Sequence, residues 1–367
     1  MRITAKVKRL EAYTPGEQPK AKDVVKLNTN ENPYPPSPRC RAVLGAFDLD
    51  RLRRYPDPVF AELRAEIAKL NGAKPENVVV GNGSDEVLSV AARAFVEDDE
   101  AIGSLDPSYS LYRTLAAIRG VRWAGFACDA DLPSAVAADG RVSLFLWTNP
   151  NAPTGTLVPA RRIAGFARRF PGVVIVDEAY ADFARENCMA LATRRGNANV
   201  LVMRTFSKSY SLAGLRVGYC VGPADLIAAL YKVKDSYNVD AVAQAVALAA
   251  LRDQRWMRRN VERVRKTRAE LTAALVARGW DVLPSESNFV FAKPLVAGAT
   301  AADAQELAAY VFAELRRRNI FVRYFPGPLT GDRLRITVGT GAQTKRLLQA
   351  LDGIAAGTCR RQSTDRK

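Results

Sequence analysis

Short apolar runs alternate with amphipathic stretches of helical period from residue 77 to residue 223. NVVV passes through a glycine-rich turn into SDEVLSVAARAF, AIGSLD into SLYRTLAAI, and RVSLFLWT into ARRIAGFARRF. PGVVIVDEAY and VLVMRTF then add runs so uniformly apolar that helices must cover them on both faces. This alternation predicts an α/β fold: a mostly parallel, helix-covered sheet with its functional site at the carboxyl ends of the strands.

On either side of this block the pattern changes. Residues 1–40 read as an irregular arm that contributes part of a smaller domain, because KLNTNENPYPPSP is too rich in Asn and Pro for a helix or a central strand. FAELRAEIAKLNG is an amphipathic helix stopped at Gly72. After Asn238 an Ala- and Val-rich helix is followed by a long charged one, QRWMRRNVERVRKTRAELTAALVARG, expected to bridge to a second domain. NFVFAKP, ELAAYVFAELRRRN, IFVRYF and DRLRITVG give strand, helix, strand, strand, which suits a small α+β domain. The expected division is 41–260 for the large domain, 261–356 for the small one and 357–367 for a disordered basic tail.

Composition narrows the chemistry. There is no histidine among the 367 residues, which removes Ser-His-Asp and Cys-His hydrolases and nearly all catalytic zinc sites. The five cysteines are scattered, with no CxxC pair, so neither a disulfide framework nor a metal site is indicated. The net charge of +16 is spread along the chain without a nucleic-acid-binding motif, so an anionic small molecule is expected in place of DNA or RNA. No run has the length of a membrane span, and the basic N-terminus lacks a secretory apolar core, so a cytoplasmic location is expected.

Five kinds of group fall at the predicted strand ends. Gly83, Ser84 and Asp85 form a turn into a helix, which aims backbone N–H groups at one point and suits a single phosphate. The turn lacks the third glycine of a dinucleotide fingerprint. Tyr109 supplies an aromatic face, Asn151 an amide loop, Asp177 and Tyr180 a carboxylate and a phenol, and the stretch RTFSKSYSLAGLRVGY supplies Ser207, Lys208 and Arg216. A lysine at a buried strand end, deprotonated by burial, forms a Schiff base with an aldehyde. Pyridoxal 5′-phosphate needs this set: a lysine for its aldehyde, an anion nest for its phosphate, an aromatic partner for its ring, and a carboxylate to keep its pyridine nitrogen protonated.

With these motifs in order, the chain resembles the fold type I pyridoxal-phosphate aminotransferases, and among them the histidinol-phosphate branch. The resemblance is carried by NTNENPYPPSP, RYPDP, GNGSDE, PSYSLY, NPNAPTG, VIVDEAYADF, SKSYSLAGLRVGY and VRYF through LRITVGT. It implies that Lys208 bonds the cofactor and moves the proton between the substrate Cα and the cofactor C4′. By the same resemblance Asp177 holds the pyridinium, Tyr180 the 3′-oxygen, and Tyr109 stacks on the ring. Ser84, the Asp85 N–H, Ser207 and Arg216 surround the phosphate, and Tyr55 reaches it from the second subunit of a homodimer. Arg335 clamps a substrate carboxylate, while Tyr13 and Arg323 face the distal anionic group of a phosphorylated amino compound or of glutamate and 2-oxoglutarate. The implied reaction is transamination between histidinol phosphate and 2-oxoglutarate, with ping-pong kinetics. An aromatic amino-acid aminotransferase and a threonine-phosphate decarboxylase share the same core. One position departs from the pattern. The family carries Asn directly before Pro-Thr-Gly and this chain has Ala152, so either the loop shifts and Asn151 replaces it, the favoured expectation, or Tyr180 holds the 3′-oxygen alone.

Overall fold

The structure, a computed structural model, describes residues 2–10, 16–21, 23–128, 131–193, 197–295 and 301–364. Among the described residues thirteen strands follow in chain order. They are β1 (Val25–Lys26), β2 (Val78–Gly81), β3 (Ala101–Asp106), β4 (Arg122–Ala127), β5 (Val142–Thr148), β6 (Val173–Asp177), β7 (Val200–Thr205), β8 (Gly218–Val221), β9 (Asp281–Val282), β10 (Phe289–Lys293), β11 (Ile320–Phe321), β12 (Arg323–Tyr324) and β13 (Leu334–Thr337).

Seven of them form the large sheet in the order β2-β8-β7-β6-β5-β3-β4. The strands β3 to β7 pair in parallel, and only β8 runs the other way, antiparallel to both β7 and β2. The apolar runs give the central strands both faces to bury. In β6, Val174 and Val176 join one core with Phe145, Phe166 and Phe206, while Ile175 joins the other with Leu88, Leu144 and Leu201. A strand with two dry faces holds its backbone in a single register, so the groups at its end are placed rigidly.

The smaller domain is an antiparallel sheet, β12-β13-β10-β9, backed by the helices Ala301–Arg317 and Gly341–Thr364. The arm is more ordered than its composition suggests. It carries the short helix Ala5–Lys8, and β1 pairs in parallel with β11, placing Val25 and Leu27 in the small domain's core. The expected boundary at residue 260 falls inside the helix Gln254–Val276. Its first half packs Met257, Val261 and Val264 on the large core, and its second half packs Leu271 and Leu275 on the small one. The closing helix also runs to Thr364, through most of the stretch read from its composition as a disordered tail. That segment has no proline to stop a helix once the preceding turns have nucleated it. Among the described residues no helix is long and apolar enough to cross a membrane.

Candidate active site

The carboxyl ends of β3, β5, β6 and β7 open into a cavity of about 950 Å³ whose far wall carries Arg323 and Arg335 of the small domain. Lys208 lies just beyond β7, where Thr205 Oγ1 accepts the Ser207 N–H at 3.1 Å and so tightens the turn that presents the lysine. Its Nζ donates to the Thr29 carbonyl at 3.2 Å. Burial pulls the Lys208 ammonium down to about 8, helped by the charge of Arg335 and opposed by Glu31 and Asp85.

Asp177 ends β6 with 4% of its surface exposed. Tyr112 donates to its Oδ2 at 2.9 Å and the Ala179 N–H to its Oδ1 at 3.1 Å. Burial pushes its carboxyl up to about 6 despite these bonds, so the site favours a cation beside it.

The phosphate cradle depends on two glycines. Gly83 caps the helix Ser84–Phe95 with φ 79°, and a Cβ there would lie 2.5 Å from Arg216 Nη2. A Cβ on Gly218 would lie 2.4 Å from the Ser84 nitrogen. Only a bare backbone lets β8, the helix start and the guanidinium approach one another this closely. Arg216 is itself left-handed, φ 56°, which turns its side chain back toward the helix start. Its Nη1 donates to Ser207 Oγ and its Nη2 to Asp85 Oδ2, each at 3.4 Å.

Tyr109 lines the cavity, its hydroxyl donating to Asp85 Oδ1 at 3.4 Å and its ring edge-on to Tyr112. Tyr180 lines it too, with its hydroxyl accepting from Asn30 Nδ2 at 2.9 Å. Arg323 and Arg335 stand opposite each other in the β12–β13 register, with both guanidiniums near the Phe325 ring at 5.2 and 5.1 Å.

The structure thus brings together Gly83, Ser84, Asp85, Tyr109, Asp177, Tyr180, Ser207, Lys208, Arg216, Arg323 and Arg335 around one space. It does not bring in Asn151 as expected. The Asn151 amide donates to the Pro107 carbonyl at 3.0 Å and to Thr154 Oγ1 at 3.1 Å, its oxygen accepts from Ser108, and the wall there is Ala152 and Pro153. The loop after β3, through Pro107 and Ser108, and Thr154 in Asn151's own loop consume the side chain that sequence reasoning assigned to the cofactor. Tyr55 lies outside this cavity, 80% exposed and stacked at 4.4 Å on Tyr237. Tyr13 lies outside the described residues.

Sequence reading missed Asn30, Glu31, Phe325 and Tyr112. Asn30 and Glu31 sit in NTNENPYPP, read only as a turn, although two polar residues before a rigid Pro segment could have marked it as more than a linker. Phe325 ends the IFVRYF strand pattern. Tyr112 lies in the first turn of the helix Leu111–Arg119, three residues after Tyr109, whose carbonyl accepts its N–H at 3.1 Å.

These donors fit pyridoxal phosphate: a bare-backbone anion cradle with one arginine, a buried carboxylate raised toward neutrality and wanting a cation, and a lysine lowered toward a neutral amine. Comparison with known proteins agrees. A family profile described as aminotransferase class I and II matches residues 22–351. The chain is 43% identical to the histidinol-phosphate aminotransferase of Syntrophotalea carbinolica, over 95% of this chain and 98% of that one. It is 44% identical to that of Aromatoleum aromaticum, over 96% and 98%. Its fold matches the histidinol-phosphate aminotransferase of Sinorhizobium meliloti, solved in complex with pyridoxal-5′-phosphate, with a TM-score of 0.86 at 26% identity over 97% of this chain and 98% of that one. The chain belongs to the class I and II aminotransferases, as a pyridoxal-phosphate-dependent enzyme of fold type I.

Proposed function

We propose that the enzyme transfers an amino group between histidinol phosphate and 2-oxoglutarate. The observation that carries this reading is the Arg323–Arg335 pair facing the Lys208 end of the cavity. Two adjacent guanidiniums with an aromatic face between them match a phosphate monoester in one half-reaction and a dicarboxylate in the other. Relatives of nearly full length that are named for this activity support it.

Pyridoxal phosphate, when bound, supplies the electron sink for the charge left as the Cα proton departs. Lys208, with its ammonium held near 8, is partly a neutral amine at physiological pH, takes that proton and returns it at C4′. Asp177 keeps the ring nitrogen protonated, and the cation it pairs with offsets the cost of its own burial. Ser84, the Asp85 N–H, Ser207 and Arg216 hold the phosphate, Tyr109 orients the ring, and Tyr180 donates to the 3′-oxygen. The enzyme works as a homodimer in which Tyr55 of the partner subunit adds a hydroxyl to the phosphate.

The test is steady-state kinetics with histidinol phosphate, phenylalanine and threonine phosphate as donors and 2-oxoglutarate as acceptor. We expect kcat/KM for histidinol phosphate to exceed the others by roughly two orders of magnitude, with parallel double-reciprocal plots. A faster turnover of phenylalanine, or release of carbon dioxide from threonine phosphate, overturns the substrate assignment.

A further inference from the structure

Asn30 is 1% exposed and holds a left-handed backbone, φ 57°, which Asn tolerates better than most side chains. It joins three parts of the molecule. Its N–H donates to Thr337 Oγ1 at 3.0 Å, its carbonyl accepts from Asn288 Nδ2 at 2.9 Å, and its own Nδ2 donates to the Tyr180 hydroxyl at 2.9 Å. The orientation of its amide is determined by Thr337. Thr337 is 3% exposed and its hydroxyl proton finds its acceptor in Asn30 Oδ1, at 3.0 Å, so the orientation that satisfies both groups turns the NH2 end to Tyr180.

A phenol oxygen that accepts on one side gives its own proton on another, and the accepted bond polarises it into a stronger donor. In the same cavity wall Ala152 offers no side-chain polar atom, and the Asn151 amide is committed to the Pro107 carbonyl and to Thr154. Thr337 also stands two residues beyond Arg335 on β13, so these bonds tie the Tyr180 hydroxyl to the strand that presents the substrate-binding guanidinium.

We propose that Asn30 is a positioning residue that fixes the Tyr180 hydroxyl as donor to the cofactor's 3′-oxygen, making up for the absence of an amide at Ala152. This rests on the reading of Tyr180 as that donor. Donation there stabilises the deprotonated oxygen, so losing it raises the pH at which the visible absorption band of the loaded enzyme changes.

The experiment compares that spectral midpoint, and the Kd of the apoenzyme for pyridoxal phosphate, in wild type, Asn30→Gly, Asn30→Gly/Ala152→Asn and Tyr180→Phe. Glycine keeps the left-handed backbone and removes only the amide. Asn30→Gly is expected to raise the midpoint by about one pH unit and weaken cofactor binding about tenfold. Adding Ala152→Asn should return at least half of both changes, and Tyr180→Phe should move the midpoint at least as far as Asn30→Gly. If glycine loosens the arm, Asn30→Asp keeps the shape while its carboxylate draws the Tyr180 proton to itself, and it too should raise the midpoint. A midpoint unmoved by Asn30→Gly and Asn30→Asp but moved by Tyr180→Phe makes Asn30 merely structural and overturns the proposal alone. A midpoint unmoved by Tyr180→Phe removes the Tyr180 reading and the proposal together. Failure of Ala152→Asn to restore anything overturns the claim that Asn30 stands in for it.

Discussion

Asp177 and Lys208 line the same cavity and are displaced in opposite directions, the carboxyl up to about 6 and the ammonium down to about 8. Asp177 binds its proton more tightly folded than unfolded, so its contribution to stability is full below its ordinary value of 3.8 and is lost as pH rises through about 6. Lys208 holds its proton more weakly folded, so it lowers stability below about 8, and that loss is relieved as pH rises from there toward 10.5. Between the two folded values both groups are charged, and the apoenzyme carries both burdens. We therefore predict that Asp177→Asn raises the Tm of the apoenzyme above pH 6. The gain is bounded by about 3 kcal/mol and fades below pH 4, as calorimetry across that range would show. Tyr112 can turn from donor to acceptor toward the new amide. In the loaded enzyme the same substitution should lower kcat by roughly two orders of magnitude, because nothing then holds the ring nitrogen's proton. A Tm at pH 8 below that of wild type would contradict this account.

Among the elements, β8 is the one strand of the large sheet that reverses direction, and its first residue, Gly218, pairs with Gly81 on one side and Thr205 on the other. A methyl at Gly218 would press on the Ser84 nitrogen and, at 2.7 Å, on the Gly83 carbonyl carbon. Gly218→Ala should cost about 1–3 kcal/mol of stability and weaken pyridoxal phosphate by more than tenfold, since the helix start must retreat from the anion. Thermal melting with a cofactor titration checks both, and an unchanged Kd would show that the cradle does not need this contact. The direction of β8 could not be read beforehand, because VGYCVG fits either orientation once both faces are buried. By contrast, the ends of β6 and β7 were legible: Asp177 and Lys208 each follow an apolar run that can only be a central strand, and the chemistry sits where such strands stop. The bonds between Tyr112 and Asp177, and between Asn30 and Tyr180, join residues far apart in the chain, so no local pattern announces them. Asn151 misled for the same reason, since Pro107 and Ser108, more than forty residues earlier, take up most of the side chain that its position seemed to offer.

At the scale of the whole molecule, Leu49, Leu52, Tyr55, Val59 and Tyr237 leave large apolar side chains exposed, with Tyr55 and Tyr237 stacked together. A face of this kind calls for a partner. A second copy of the chain would bury it and bring a tyrosine hydroxyl to each cavity. Leu52→Glu is predicted to shift the sedimentation coefficient from dimer to monomer and to reduce activity in proportion, whereas a dimer indifferent to the charge would place the interface elsewhere. The helix Gln254–Val276 is about 35 Å long and belongs half to each core. Its consequence falls on protein engineering. A chimaera that exchanges small domains between relatives, to trade one substrate range for another, has no clean seam at residue 260, where the sequence pattern puts the domain boundary. The joints must lie outside this helix, and β1, though it is the first strand of the chain, has to travel with the C-terminal graft whose β11 it pairs with.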